Sequence, residues 1–286
     1  MAATVIDGKA AAEAVKGEVR SRIAHLAQRG VVPGLAIVLV GHHPPSEIYV
    51  KKKLEACRRV GLRATLQRFD IDVDASRLHG HIAMLNADAA VHGILVQLPL
   101  PPHLDQKATI DRVDPEKDVD GLHPLNIGCL QTGRAGFIPC TPLGVMRLLA
   151  HYGVTPRGKH AVVLGRSAIV GRPMSWLLLR AHATVTTCHR HTHDTAGHAA
   201  RADILVSAVG KPGLVTGDWV KPGAVVIDVG INRLADGRVV GDCDFESVRE
   251  KASLVSPVPG GVGPMTVAML LANVVSAAER RLALGA

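Results

Sequence analysis

The sequence predicts an α/β protein of two domains, and three observations support this. Segments with helical and strand patterns alternate, which implies parallel strands covered on both faces. The alternation runs twice, with a Pro- and Gly-containing irregular stretch from Pro99 to Pro139 between the two passes. A chain of 286 residues exceeds one ordinary domain, and 47% hydrophobic residues supply material for two cores.

The first pass opens with an Ala-rich amphipathic helix over Lys9 to Gln28, closed by Gly30. Leu35 to Val40 is a short apolar run ending at Gly41, as expected of a buried strand. Ser46 is a suitable N-cap for a helix over Glu47 to Val60, which Gly61 ends. A strand over Leu62 to Phe69, a helix over Ala75 to Leu85 and a strand over Gly93 to Leu98 follow.

The second pass starts at Thr141-Pro142, an N-cap followed by proline at the first helical position, with a helix to about Tyr152. Strands are predicted over His160 to Leu164, Thr184 to Thr187, Ile204 to Val209 and Ala224 to Val229, with a helix over Gly171 to Arg180. The run Met265 to Ala278 is interrupted by Thr266, Asn273 and Ser276 and reads as a buried helix, capped by Thr266. The domain boundary falls near Thr141.

Composition narrows the function. The formal charge of +8 points to an anionic partner. Proteins that read single-stranded nucleic acid stack bases on aromatic side chains. Two Trp, two Tyr and three Phe leave little for that, so no nucleic-acid partner is expected. No apolar run reaches the roughly 18 residues of a spanning helix, and no membrane association is expected. The N-terminal residues lack a secretory apolar core and carry Asp7, Glu13 and Glu18. Five widely spaced cysteines without a CxxC pair read as reduced thiols of a cytoplasmic protein.

The charge is concentrated in the second pass. Residues 141–190 carry Arg147, Arg157, Lys159, Arg166, Arg172, Arg180 and Arg190 and no carboxylate. Within them, HAVVLGRSAIVGRPMSWLLL runs strand, tight turn, helix. Such a turn presents backbone N–H groups and a helix N-terminus to a pyrophosphate. Gly165 permits the turn and Gly171 allows close helix–strand packing, although the spacing departs from GxGxxG. Folds that prefer NAD usually carry an acid at the end of the next strand. Here that strand ends at Arg190, between His189 and His191. A guanidinium can bind a 2′-phosphate that a carboxylate would repel, so the pattern favours NADP, with Arg166 able to reach the same phosphate. His189, His191, His193 and His198 cluster locally, but only Asp194 stands near them, and no metal site is expected.

In the first pass, Tyr49 and Lys53 stand at i and i+4 on one helix face. Gln97 lies near the carboxyl end of a parallel strand, where open sheets bind ligands. Asp114, Asp118 and Asp120 precede Gly121 in a loop whose turn chemistry accounts for them without a metal. VSPVPGGVGPMT is a Pro/Gly loop that allows a flat ligand to approach the backbone.

SxxYVxxKxxAC, VQLPLP, KDVDGLHPLNIG, CTPxG, GRSxIVGRP, DVGIN and PVPGGVGPMT occur in this order, nearly end to end. The sequence closely resembles the bifunctional methylenetetrahydrofolate dehydrogenase/cyclohydrolase family. That resemblance implies a folate-binding catalytic domain over 1–140, completed by the C-terminal helix 265–286. It implies a Rossmann-like NADP-binding domain over 141–264, a folate cleft between the two, and a homodimer through the nucleotide domains. It implies oxidation of 5,10-methylenetetrahydrofolate with NADP and hydrolysis of the methenyl product to 10-formyltetrahydrofolate. By position, Lys53 resembles the catalytic lysine, Gln97 its partner, Tyr49 the residue stacked on the folate, and Asp120 the carboxylate on the pterin edge. Leu98, Pro259, Gly260 and Gly261 match further folate contacts. Gly165, Arg166, Ser167 and Ile231 match cofactor contacts. The turn GHHPPS departs from the family's more acidic form, placing His42 and His43 before the Tyr49–Lys53 helix. The competing reading is another two-domain NADP dehydrogenase of the shikimate type, which the ordered Tyr49, Lys53, Gln97 and Asp120 disfavour.

Overall fold

In the computed structural model, which describes residues 2–284, the chain begins β1 (Thr4–Val5), α1 (Gly8–Gln28), β2 (Gly34–Val40), α2 (Pro44–Val60), β3 (Arg63–Phe69), α3 (Ala75–Ala87) and β4 (Gly93–Val96). Short helices α4 (Gln106–Ile110) and α5 (Pro124–Thr132) follow within the irregular stretch, then α6 (Cys140–His151). The chain continues β5 (His160–Leu164), α7 (Gly171–Arg180), β6 (Thr184–Cys188), α8 (Thr195–Ala199), β7 (Ile204–Ser207) and β8 (Val225–Asp228). It ends with β9 (Asn232–Arg233), β10 (Val239–Val240), α9 (Phe245–Lys251), β11 (Leu254–Val255) and α10 (Val262–Leu284). These elements fall into two units.

The first unit comprises Ala14–Cys140 and the chain from Val267 onward. Its sheet has the order β3-β2-β4, all parallel. Central β2 is buried at every residue, which explains its unbroken apolar run. Val38 of β2 packs with Leu78, Ile82 and Ile94 in the core of this unit. Helix α3 starts on Asp74, whose side chain accepts from the Arg77 N–H at 2.8 Å. Its far end is closed by Lys117, whose Nζ donates to the carbonyls of Leu85, Asn86 and Asp88 at 3.0, 2.7 and 2.8 Å. Burial, with the nearby Arg281 charge, pulls the Lys117 ammonium below its usual range. Helix α10 ties into the unit through Asn273, which donates to the carbonyls of Val119 and Ile138 at 2.8 and 3.2 Å. Helix α10 is long and apolar enough to cross a membrane, yet most of its apolar stretch is buried, so it is a core helix.

The second unit comprises the residues through Glu13 and Thr141–Thr266. Its six-stranded sheet has the order β1-β11-β8-β7-β5-β6 and every pairing is parallel. The chain leaves β5 for β6 on one side and then crosses to β7 on the other. In doubly wound sheets, ligands bind outside the carboxyl ends of the strands at this point. Val162, Leu164, Leu205, Val226 and Val255 form its core, with Trp219 and Phe245 packed on it.

Several boundaries differ from expectation. Helix α2 starts at Pro44, with His43 as N-cap residue, because two prolines occupy its first two positions. Ser46 lies inside the first turn and bonds His43 Nδ1 at 2.9 Å and the Leu98 carbonyl at 3.3 Å. Thr141 and Thr266 sit within helices rather than capping them, and their hydroxyls meet at 3.0 Å. The residues through Glu13 group with the second unit rather than with Ala14–Cys140, because β1 pairs with β11, Thr4 opposite Leu254.

Candidate active site

In the second unit, the loops after β5, β6, β7 and β8 leave one edge of the sheet, since these strands are mutually parallel. Gly165 follows β5 at φ 109°, a conformation that L side chains rarely adopt. A Cβ there would collide with the Ala208 carbonyl oxygen, and one at Gly171 with the Gly165 carbonyl. The backbone therefore folds tightly between the β5 and β7 exits, leaving a cradle that only glycine permits. Ser167 Oγ accepts from the N–H groups of Val170 and Gly171 at 3.2 and 3.3 Å and shapes the start of α7.

Arg166 and Arg190 are exposed at this edge. Arg190 Nε donates to His191 Nε2 at 3.1 Å, and the His191 N–H bonds His189 Nδ1 at 3.2 Å. The histidines therefore serve the turn that carries Arg190. Among the described residues, no group of three or more His, Cys, Asp or Glu side chains is arranged to hold a metal ion. Three large apolar side chains project from the same loops into solvent: Ile169 at 45% exposure, Val209 at 36% and Ile231 at 51%. Apolar surface beside an arginine-bearing Gly turn suits a ligand with both phosphates and flat rings. These features fit a dinucleotide.

In the first unit, Lys53 projects from α2 and its Nζ donates to Gln97 Oε1 at 3.0 Å. Gln97 follows β4; its N–H bonds the Val38 carbonyl at 2.8 Å and its Nε2 donates to the Leu98 carbonyl at 2.8 Å. Both ends of the amide are engaged, so its oxygen stays turned toward the lysine. Tyr49 lies one turn before Lys53, with Lys52 Nζ 6.0 Å from its ring centre. Asp120 is half-buried, and the buried Cys140 thiol lies within reach of its charge and that of Lys53. Burial drives that thiol well above its usual range; Asp120 adds to the rise and Lys53 opposes it. Lys53, Gln97, Asp120 and Cys140 thus share one neighbourhood. Next to it Asp118 is buried and accepts from the His123 N–H at 2.7 Å and Asn126 Nδ2 at 2.9 Å.

The loop Pro257–Gly261 belongs to the second unit and contains a cis bond before Pro259. Gly260 adopts φ 113°, and a Cβ at Gly8 would strike the Gly260 and Gly261 carbonyls, so α1 starts against this loop.

Two residues at these sites escaped the sequence reading. Asp242 is fully buried beneath the loops after β7 and β8. Asn273, on α10, holds the backbone next to Asp120. The polar interruption at Asn273 within an apolar helix was the one available signal.

Comparison with known proteins adds the family. The model of the tetrahydrofolate dehydrogenase/cyclohydrolase NAD(P)-binding domain matches residues 139–282, and that of its catalytic domain matches residues 6–120. The bifunctional protein FolD of Aromatoleum aromaticum is 55% identical over 284 residues, 98% of each chain. Among solved structures, the bifunctional methylenetetrahydrofolate dehydrogenase/cyclohydrolase of Campylobacter jejuni superposes with TM-score 0.96 at 47% identity, over 98% of this chain and 100% of that one. The methylenetetrahydrofolate dehydrogenase-cyclohydrolase of Trypanosoma brucei, complexed with NADP and an inhibitor, gives TM-score 0.95 at 42% identity over 99% of each chain.

Proposed function

The chain belongs to the tetrahydrofolate dehydrogenase/cyclohydrolase family and carries its two activities in one-carbon folate metabolism, and from that premise we propose the residues, cofactor and setting it uses for them. Its NAD(P)-binding domain takes NADP, held at the Gly165 turn by Gly165, Arg166, Ser167 and Gly171, with Arg190 on the 2′-phosphate and Ile231 against the rings. Bound there, NADP supplies the acceptor for a hydride leaving the bridging carbon of 5,10-methylenetetrahydrofolate. What the chain supplies for that step is orientation. Tyr49 stacks on the folate, Asp120 binds the pterin edge, and Leu98, Pro259, Gly260 and Gly261 complete the folate contacts.

Hydrolysis needs more. Water adds to the methenyl carbon and loses a proton; the carbon–N5 bond then opens as N5 gains a proton and the new hydroxyl gives one up, leaving the formyl group on N10 with one proton released overall. Lys53 moves protons in this sequence. The observation that carries this role is the 3.0 Å bond from Lys53 Nζ to Gln97 Oε1. A neutral amide fixes the amine in direction without pairing it to a charge. The arginine-bearing, carboxylate-free turn carries the choice of NADP. The enzyme acts in the cytoplasm as a homodimer, for which light scattering on the eluting protein should give twice the chain mass.

The test is one spectrophotometric assay. Purified protein given methylenetetrahydrofolate should reduce NADP faster than NAD at equal concentration, and should hydrolyse supplied methenyltetrahydrofolate without dinucleotide. Equal rates with the two dinucleotides would remove the assignment of Arg190 to the 2′-phosphate.

A further inference from the structure

We infer that Asp242 is a positioning residue for dinucleotide binding: its buried carboxylate holds the loops after β7 and β8 in the shape the cofactor edge requires. The inference rests on the placement of the dinucleotide at the Gly165 turn.

Asp242 accepts five hydrogen bonds from three segments. Its Oδ2 receives Ser207 Oγ at 3.1 Å, the Val209 N–H at 2.8 Å and the Gly210 N–H at 3.3 Å. Its Oδ1 receives the Lys211 N–H at 3.0 Å and Asn232 Nδ2 at 3.0 Å. Val209, Gly210 and Lys211 form the turn leaving β7; Asn232 follows Ile231 after β8. Three successive N–H groups converging on one carboxylate fix the path of a loop that has no regular secondary structure of its own.

That path matters for two reasons. Ala208 packs directly on Gly165, so the start of the loop walls the Gly turn. Of the exposed apolar groups at this edge, Val209 donates its own N–H to Asp242, and Ile231 immediately precedes Asn232, which also bonds it. A second carboxylate locks the first in place. Asp228 accepts the N–H groups of Gly230, Asp242 and Cys243 at 2.9, 3.0 and 2.8 Å. A Cβ at Gly230 would strike Asp242, and one at Gly241 would strike Asp228, so glycines stand where each carboxylate meets the backbone. Asp242 is fully buried and both its oxygens accept from protein donors, which separates it from residues that touch the cofactor.

The bifunctional chemistry provides the control, because hydrolysis of supplied methenyltetrahydrofolate consumes no dinucleotide. Asp242→Asn places an NH2 group against N–H donors, while Ser207→Ala removes one bond and preserves the rest. NADP affinity is measured by calorimetry without folate, alongside the NADP-induced rise in Tm. Asp242→Asn should weaken NADP binding by about ten- to hundredfold, and Ser207→Ala by roughly two- to fivefold. Cyclohydrolase turnover and folate KM should stay within about twofold of the parent. If Asp242→Asn fails to fold, Ser207→Ala decides by the same split. Folded variants that bind NADP as the parent does, or that lose hydrolysis in step with binding, overturn the inference alone. A parent protein that binds no dinucleotide overturns the underlying placement as well.

Discussion

Asn273 Nδ2 donates at 2.8 Å to the carbonyl oxygen of Val119, the residue immediately before Asp120. The same amide reaches the Ile138 carbonyl and lies 3.7 Å from Cys140 Sγ. One buried side chain thus joins the last helix to both backbone segments that flank the proposed folate carboxylate. Replacing it by leucine leaves buried carbonyls without a donor. Asn273→Leu should destabilise the protein by about 1–3 kcal/mol and raise the folate KM more than it lowers kcat. Urea unfolding and steady-state kinetics check both, and an unchanged folate KM would reduce Asn273 to a packing role.

Lys53→Met removes the amine but keeps an unbranched stem of similar length. Hydrolysis of methenyltetrahydrofolate should fall by about 10²-fold or more, the usual scale for a positioned proton-transfer group. Retention of full hydrolysis would sink the role given to Lys53. NADP binding, measured by calorimetry, should not change.

Arg190→Asp puts a carboxylate where a 2′-phosphate would lie. The NADP/NAD preference should shift toward NAD by about tenfold or more, the size of one charge-assisted hydrogen bond. Initial rates with each dinucleotide check it. An unchanged ratio would assign the phosphate to another group, Arg166 first.

The buried Asp118 carboxyl is held above its usual value of 3.8, chiefly by burial, against hydrogen bonds from Asn126 and His123 that favour its ionised form. The folded protein therefore keeps this proton where the unfolded chain has released it. Stability from this group is full below 3.8 and is lost as pH rises through the elevated folded value. In Asp118→Asn the remaining oxygen can still accept from His123 and Asn126, and no charge is buried. The variant should gain on the parent as pH climbs above 3.8. Unfolding midpoints across a pH series test this, with parallel curves as the contrary result.

Much of this architecture is legible because particular segments state it locally. The run GLAIVLV is apolar throughout since β2 is buried on both faces. Tyr49 and Lys53 share a helix face by spacing alone, and Gly165 and Gly171 mark a turn that a Cβ would block. Other features depend on partners far away in the chain. Strands β1 and β11 have two residues each, too few for a period; β1 is defined by its pairing with β11, and β11 by pairing with β1 and β8. Asp242 looks like one more polar residue in a turn, since its donors lie at 207–211 and 232. Ser46 is a good cap by composition, but the prolines before it move the helix start to Pro44.

The passage of the chain between the two units has a consequence for biosynthesis. Thr4 finds its partner Leu254 almost a full chain length later, and the first unit is completed only by residues beyond Val267. A ribosome adds about 5–20 residues per second, and most domains fold in the order they emerge. Here the second unit waits for β11 and the first waits for α10, so each closes late in synthesis. The nascent chain carries β1 without its neighbour β11 until Val255 is made, and a first sheet without its last helix until the residues beyond Val267 follow. Truncation near the C-terminus should therefore cost the folate unit its fold while the complete dinucleotide sheet has already been made, and pulse-labelled nascent chains should gain protease resistance late and nearly together.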